Sequence, residues 1–121
     1  MNIQFYNSLT RKKEDFVPIK NKQVGLYTCG PTVYDNPHIG NLLSYIIWDI
    51  LKRFLTSQGF KVKHVMNLTD VGHLVSDSDE GEDKMEKAKQ REQQTAWAIA
   101  DKYIQAFKDN IAELNILSPS K

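Results

Sequence analysis

The stretch Val24-Gly25-Leu26-Tyr27-Thr28-Cys29 decides the fold, because it is short, apolar and β-prone and is followed at once by the turn residues Gly30-Pro31. It predicts a buried strand. Residues 39–57 are apolar almost all round and predict a helix buried on most sides, with Gly59 at its carboxyl-terminal cap. Residues 60–68 predict a second strand. Strand, helix and strand within about 45 residues indicate a βαβ unit with parallel strands in an α/β domain.

Less strongly patterned segments flank this unit. Residues 3–6 predict an edge strand, and residues 11–15 predict a charged turn. Residues 82–93 are rich in Glu, Lys, Gln and Ala, which predicts an exposed helix. A last helix begins after Thr95, and its apolar side chains recur at steps of three and four residues, as expected for one packing face. The members of this face are Trp97, Ala100, Ile104, Phe107, Ile111 and Leu114.

Length and composition exclude several classes of protein. The 121 residues allow one compact domain or part of a larger one, and no apolar run approaches the roughly 20 residues of a membrane span. The first residues show no secretory signal pattern, and the single cysteine, Cys29, cannot form an internal disulfide. We therefore expect a cytoplasmic protein. A net charge of +1 gives no strong field for gathering nucleic acid.

Residues 76–83 are the sharpest feature of the charge distribution, since they hold five acids. They do not fit a calcium-binding EF-hand loop, because that loop needs glycine at its sixth position and Gly81 falls at the fifth, counted from Asp77. We interpret this stretch as an exposed acidic loop that leads into the helix at residues 82–93, whose first turn favours acidic side chains.

The carboxyl ends of the two predicted strands are where ligands are expected, since parallel α/β sheets bind them there. Asn67-Leu68-Thr69-Asp70 ends the second strand, and the Thr69 hydroxyl and Asp70 carboxylate are suited to hold an amino group, a ribose hydroxyl or a water. The same residue types also suit a strand-to-loop turn, so both interpretations stay open. Cys29 ends the first strand and is either a small packing residue or one soft ligand of a zinc ion, which needs at least three protein ligands.

The segment His38-Ile39-Gly40-Asn41 lies where the long helix begins. A helix start offers unpaired N–H groups and a positive dipole end, which together favour phosphate. Gly40 allows close approach of a ligand to the backbone, and His38 and Asn41 add side-chain donors. The alternative is a capping turn, in which Asn41 satisfies the helix end and His38 is solvated.

Taken together, three segments resemble the amino-terminal catalytic region of cysteinyl-tRNA synthetases. They are Tyr-Thr-Cys-Gly-Pro-Thr-Val-Tyr-Asp at residues 27–35, His38-Ile39-Gly40-Asn41, and Asn67-Leu68-Thr69-Asp70. These enzymes are class I aminoacyl-tRNA synthetases with a His-Ile-Gly-His signature, of which a final Asn is a familiar variant. The resemblance extends from about Phe5 to Ile116. It implies that residues 1–121 are the amino-terminal half of a Rossmann-type (HUP-like) parallel sheet, followed by helices.

The resemblance also implies an activity. The family activates L-cysteine with ATP and Mg²⁺ to cysteinyl adenylate and transfers the cysteine to tRNA(Cys), so this chain would be part of a cysteine–tRNA ligase. The implied ATP-binding residues are Thr32, His38, Gly40 and Asn41, of which His38 and Asn41 are catalytic. The implied substrate-binding residues are Gly30 and Thr69. Cys29 corresponds to a ligand of Zn²⁺, which would select thiolate over hydroxyl.

Some features depart from the family pattern. Leu43 stands where many members have Arg, a basic contact for phosphate or tRNA, and His73 follows Asp70 without an assignable role. Residues 84–87 are not the family's Lys-Met-Ser-Lys-Ser loop, which belongs, with the remaining zinc ligands and the anticodon-binding helices, to a later part of such enzymes. We therefore expect the isolated chain to be inactive or weak, without its carboxyl-terminal half.

Two other functions fit the same segments. A mycothiol-pathway cysteine ligase shares the cysteine-activating fold but acts on an amino sugar. A non-catalytic truncated paralogue would instead use the apolar face between Trp97 and Leu114 to bind a partner.

Overall fold

The computed structural model describes residues 3–69 and 95–121, and every structural statement refers to these residues. Its elements are β1 (Gln4–Asn7), β2 (Lys12–Asp15), β3 (Gln23–Thr32), α1 (Ile39–Ser57), β4 (Lys61–Thr69) and α2 (Ala96–Glu113), with α2 numbered as the second described helix. The acidic loop at 76–83, the helix predicted at 82–93, Asp70 and His73 lie outside the described residues.

The predicted βαβ unit is present. β3 and β4 pair in parallel, with Val24 opposite Val62 and Thr28 opposite Met66, and α1 connects them. This arrangement agrees with an α/β fold. Of the predicted Rossmann-type sheet, the described residues show these two parallel strands.

The β3 strand is longer and more exposed than its sequence predicts. It continues through Gly30 and Pro31 to Thr32, which pairs with Thr69 after an irregularity in the register. Pro31 is tolerated because a strand irregularity does not need its missing N–H. The prediction of a buried strand that stops at Cys29 is wrong, since Tyr27 and Cys29 are exposed.

The α1 helix has the predicted bounds but not the predicted burial. It ends at the cap residue Gln58, after which Gly59 adopts a left-handed conformation with φ of 84°, as its place in the sequence predicts. Its buried residues are Tyr45, Asp49 and Leu55. One whole side of α1 remains exposed in the described part of the chain, so the prediction of a helix buried on most sides is wrong.

The core lies where α2 packs against α1 and the strand ends. Tyr45 of α1 contacts Phe107 edge-on, with ring centroids 5.2 Å apart, and Ile111 completes this buried cluster. A second cluster joins Val33 to α2 through Ile99, Ala100 and Tyr103.

The helix predicted after Thr95 is confirmed, because the Thr95 hydroxyl accepts from the Ala98 N–H as an N-terminal cap. The middle of its predicted apolar face, Ala100, Phe107 and Ile111, is buried within the chain. Trp97 and Leu114 at its ends are exposed. The prediction that this whole face binds a partner is therefore wrong, because the chain itself covers the centre of the face.

The amino-terminal residues form a hairpin of their own. β1 is the predicted strand, and it pairs antiparallel with β2. The prediction of a charged turn at residues 11–15 is wrong, because only Arg11, with φ of 56°, has turn geometry, and Lys12–Asp15 are a strand. An edge-on contact between Phe16 and Phe60 connects the hairpin to the start of β4.

The segment after α2 returns along α1 to the edge of β4. Buried Asp49 accepts from the Leu117 N–H at 2.9 Å and from Arg53 at 2.7 Å. The Ser120 N–H donates to the His64 carbonyl at 2.7 Å. The charged side chains of α1 thus hold residues 115–121 beside the parallel strands. None of the described helices is long and apolar enough to cross a membrane.

Candidate functional site

The carboxyl ends of β3 and β4 carry four of the predicted site residues, Cys29, Gly30, Thr32 and Thr69. Cys29, a free and exposed thiol, lies opposite Asn67, and Thr32 lies opposite Thr69. The Val33 N–H donates to the Thr69 carbonyl at 2.9 Å, which fixes the two strand ends against each other. The interpretation of Cys29 as a small packing residue is wrong, because its side chain is not part of the core.

Gly30 is required by the close approach of the two strands. A Cβ atom at this position would collide with the Asn67 carbonyl oxygen and lie 2.9 Å from the Met66 side chain. Backbone atoms cannot move aside as a flexible side chain can. Glycine therefore lets β3 bend toward β4 just beyond Cys29, which sets the position of the thiol relative to Thr69.

Asn67 is a site residue that the sequence reasoning did not select. Its Nδ2 donates to the Thr69 hydroxyl at 3.2 Å, so it orients one predicted substrate-binding group. Its Oδ1 is buried without a hydrogen-bond partner among the described residues. Buried polar atoms are usually paired, so this oxygen is an available acceptor beside the strand end. Its place in the run Asn67-Leu68-Thr69-Asp70 was the sequence signal, whereas its position across from Cys29 follows from the register of the two strands.

His38 and Asn41 form a reciprocal cap at the start of α1. The His38 Nδ1 accepts from the Gly40 N–H at 3.1 Å, and the Asn41 Oδ1 accepts from the His38 N–H at 3.2 Å. The capping interpretation is confirmed in this respect. Because Nδ1 accepts, the proton of neutral His38 is on Nε2, and the cap leaves the His38 Nε2–H and the Asn41 Nδ2 as donors.

This cap gives Gly40 a different role from the predicted one. The N–H groups of Gly40 and Asn41 already donate to His38, so they are not available to a phosphate. The side chains of His38 and Asn41 are the donors that remain at this helix end. A Cβ atom at Gly40 would lie 3.0 Å from the His38 imidazole. The glycine thus makes room for the histidine ring that caps the helix.

A polar cavity of about 250 Å³ opens at this cap. Its lining residues are Pro31, Thr32, Tyr34, Asp35, Asn36, Pro37, His38 and Asn41. Three predicted ATP-binding residues, Thr32, His38 and Asn41, therefore share one cavity. A larger cavity of about 350 Å³ lies between β4, α2 and residues 118–121 and has a mainly apolar lining. We assign the site to the smaller cavity because orienting a ligand needs convergent polar groups.

A buried polar pair joins β3 and β4 one residue before Cys29. The Thr28 Oγ1 is 2.9 Å from the His64 Nε2, and both side chains are buried. His64 Nδ1 has no partner among the described residues, and a buried acceptor without a partner costs less than a buried N–H, so we assign the ring proton to Nε2. Burial lowers the pKa of His64 below its ordinary value of 6.5, and the positive charge of Lys52 lowers it further. The negative charge of Asp49 raises the pKa and offsets part of this shift.

The described residues do not complete a zinc site. Among residues 3–69 and 95–121, no three His, Cys, Asp or Glu side chains are grouped so that they could hold a metal ion. His64 is already bonded to Thr28 and buried on the sheet side away from Cys29. Cys29 alone supplies a soft, exposed ligand, and a zinc site needs at least three from protein.

Comparison with known proteins agrees with this arrangement. The family described as tRNA synthetases class I (C) catalytic domain matches residues 15–121, a range that includes β3, the His38 cap and β4. This chain belongs to that family. The resemblance expected from Cys29, His38–Asn41 and Asn67–Thr69 is thereby confirmed.

Individual members of the family match nearly the whole chain. Cysteine–tRNA ligase 1 of Burkholderia lata is 52% identical over 120 residues, which cover 99% of this chain and 26% of the ligase. The cysteine–tRNA ligase of Zymomonas mobilis is 50% identical over 118 residues, 98% of this chain and 23% of the ligase. A cysteine–tRNA ligase of Thermus thermophilus is 43% identical over 99% of this chain and 25% of the ligase. The chain spans about a quarter of the length of these relatives and matches their amino-terminal part.

Proposed function

We propose that this chain supplies the ATP-binding side of a cysteine–tRNA ligase active site. The observation that carries the proposal is the polar cavity at the start of α1, which Thr32, His38 and Asn41 line together. Membership of the class I (C) synthetase family and the names of the similar ligases support the choice of cysteine and tRNA(Cys) as substrates.

The His38 cap is suited to hold the phosphates of ATP. The His38 Nε2–H and the Asn41 Nδ2 donate from one helix end, whose dipole is positive, toward a cavity that also holds the Thr32 hydroxyl. As the cysteine carboxylate attacks the α-phosphorus and pyrophosphate leaves, negative charge grows on the phosphate oxygens. Donors that are already fixed stabilise that charge without reorganising. Mg²⁺ would arrive with ATP and take most of its ligands from phosphate and water.

The strand ends are suited to hold the cysteine and its adenylate. Gly30 keeps the backbone close to β4, and the Thr69 hydroxyl, oriented by Asn67, lies across from Thr32. These groups can accept and donate hydrogen bonds to an amino or ribose group. We assign Cys29 as one ligand of a zinc ion that would bind the substrate thiolate, and no step of the proposal depends on that ion, because the described residues do not complete its site.

The proposal is tested in a chimera, because the chain spans a quarter of its relatives. The 121 residues replace the matching amino-terminal part of the Burkholderia lata ligase, and cysteine-dependent ATP–pyrophosphate exchange is measured. We expect exchange in the chimera and little or none from the isolated chain. His38→Ala should lower kcat about 100- to 1,000-fold, the usual effect of removing one preorganised donor.

The matched control is Leu9→Ala, in the turn of the exposed hairpin. It should leave exchange unchanged. Equal exchange by the His38→Ala chimera would contradict the role of the cap, and strong exchange by the isolated chain would contradict its incompleteness.

A further inference from the structure

Asp35 is the one acidic residue among the described residues that line the polar cavity at the start of α1. None of these lining residues is Lys or Arg, and the helix end contributes only a partial positive charge. With histidine neutral, the described lining of the cavity therefore carries a net negative charge. Such a cavity would repel metal-free ATP, whose phosphates are also negative.

The segment that carries Asp35 is fixed at both of its ends. Before it, Val33 is buried against α2, and the Val33 N–H donates to the Thr69 carbonyl at 2.9 Å. After it, His38 caps α1. The Asp35 Oδ1 accepts from the Asn36 N–H at 2.8 Å, which orients the carboxylate. A carboxylate oxygen can accept more than one partner, so this hydrogen bond does not exclude a cation.

A divalent cation would turn the charge of Asp35 from a repulsion into an attraction, because the cation attracts both the carboxylate and the phosphates. Mg²⁺ is commonly held by one or two carboxylates together with substrate phosphates and water. The oxygen donors of the cavity, the Asp35 carboxylate and the Thr32 hydroxyl, suit this hard ion. The volume of about 250 Å³ is below the roughly 300–1,000 Å³ of sites for drug-sized ligands, so it suits the phosphate end of ATP with its cation.

We infer that Asp35 binds the Mg²⁺ that accompanies ATP, while His38 and Asn41 donate to the phosphates in the same cavity. The inference rests on the proposed function and assigns a role to a further residue of that site. It gives the cavity a preference for Mg·ATP over metal-free ATP, because the charge of Asp35 favours binding only when the cation is present. It also means that Asp35, rather than a basic side chain of the described lining, compensates for the phosphate charge, through the metal ion.

The test is equilibrium binding of ATP to the Burkholderia lata chimera by isothermal titration calorimetry, without cysteine, in Mg²⁺ and in EDTA. Asp35→Asn removes the charge and keeps the Oδ1 that accepts from Asn36. It should lower the affinity for Mg·ATP about 10- to 100-fold, the usual effect of disturbing the support of a bound metal ion. The same variant should bind metal-free ATP at least as tightly as the unchanged chimera, because a repulsive charge has been removed.

The matched control is Asp101→Asn, the same chemical change at an exposed position of α2, which should alter neither affinity. A loss of equal size for Mg·ATP and metal-free ATP in Asp35→Asn would overturn the inference, since removing a ligand of the cation cannot produce it. An unchanged affinity for Mg·ATP would also overturn it. Adenosine is the third probe and should bind both chimeras equally, whereas weaker binding to Asp35→Asn would assign the carboxylate to a ribose hydroxyl instead.

Failure of the inference and failure of the proposed function are distinguishable, because the binding measurement needs no catalysis. A chimera that exchanges pyrophosphate and binds Mg·ATP equally well with Asp35→Asn contradicts the role of Asp35 alone. A chimera in which Asp35→Asn weakens only Mg·ATP, but which does not exchange pyrophosphate with cysteine, contradicts the proposed function alone. A folded chimera that binds no ATP with or without Mg²⁺ contradicts both.

Discussion

The hydroxyl of Thr28 lies 2.9 Å from Nε2 of His64, and this buried contact joins the two parallel strands one residue before Cys29. The backbone of His64 is held in turn by Ser120, whose N–H donates to the His64 carbonyl. His64 therefore connects the strand end that carries the thiol with the segment that follows α2.

The first prediction concerns the pH dependence of stability. Burial and Lys52 lower the pKa of folded His64, whereas unfolded histidine titrates near 6.5. Below that pH the unfolded state takes up a proton that the folded state does not. Neutral His64 therefore contributes its full stabilisation above about pH 6.5, and this contribution is lost as the pH falls through the pKa of the folded state. Urea midpoints measured between about pH 5 and 8 should fall at the acidic end.

The variant His64→Phe isolates this effect. It should remove the fall of the urea midpoint at acidic pH. At neutral pH it should lower the free energy of unfolding by about 1 kcal/mol, because the Thr28 hydroxyl loses its partner. Leu9→Ala, at an exposed position that does not titrate, is the control and should keep the slope. If His64→Phe retained the acidic loss, protonation of His64 would not be its cause.

Gly30→Ala should destabilise the chain. The added Cβ would meet the Asn67 carbonyl oxygen and Met66, so the strands must separate at their carboxyl ends, at a cost of about 1–3 kcal/mol or more. Gly25→Ala is the matched control in the same strand, because no atom lies within 4 Å of the position that its Cβ would take. Thermal or urea unfolding of both variants measures the difference, and equal midpoints would contradict the close approach.

Gly40→Ala should separate stability from activity. Gly40 lies in the first turn of α1, where the higher helix propensity of alanine, up to about 1 kcal/mol, offsets much of the loss of the His38 cap, so the free energy of unfolding should change little. Its Cβ would press on the His38 imidazole from 3.0 Å and displace the capping ring. Pyrophosphate exchange by the chimera should therefore fall while its melting temperature does not. A parallel loss of both would indicate general damage to the helix.

Asp49 should be the main anchor of residues 115–121. Asp49→Ala removes the acceptor for the Leu117 N–H and for Arg53, with an expected loss of about 1–3 kcal/mol. Exposed Asp101→Ala on α2 should change stability by less than about 0.5 kcal/mol. Hydrogen exchange should show faster exchange of the Leu117 amide in Asp49→Ala, and unchanged protection would contradict the anchor.

The two described helices were predictable because their signals are local. The apolar run from Ile39 to Gly59 and the cap at Thr95 depend on neighbours in sequence, and both appear where predicted. Burial was not predictable in the same way. The apolar residues of α1 on the side of Ile47 look like core in sequence, but burial depends on what packs against them, and the described residues leave that side open.

The site was partly predictable for a related reason. His38 and Asn41 stand out because a helix start needs caps. Gly30 is predicted as a turn residue, but it lies within β3, where it allows the close approach to β4. The position of Asn67 across from Cys29 and the Thr28–His64 pair depend on the register between β3 and β4, which residues 36 or more apart in sequence do not reveal. The continuation of β3 past Pro31 depends on a strand irregularity that is also set by pairing.

The most direct test of the central claim is transfer of cysteine to tRNA(Cys) by the Burkholderia lata chimera that carries these 121 residues. The account predicts that the chimera forms cysteinyl-tRNA in a reaction that requires ATP and loses it with His38→Ala, while the isolated chain forms little or none. A folded chimera that charges no tRNA, or that passes activated cysteine only to an amino sugar, would contradict the account.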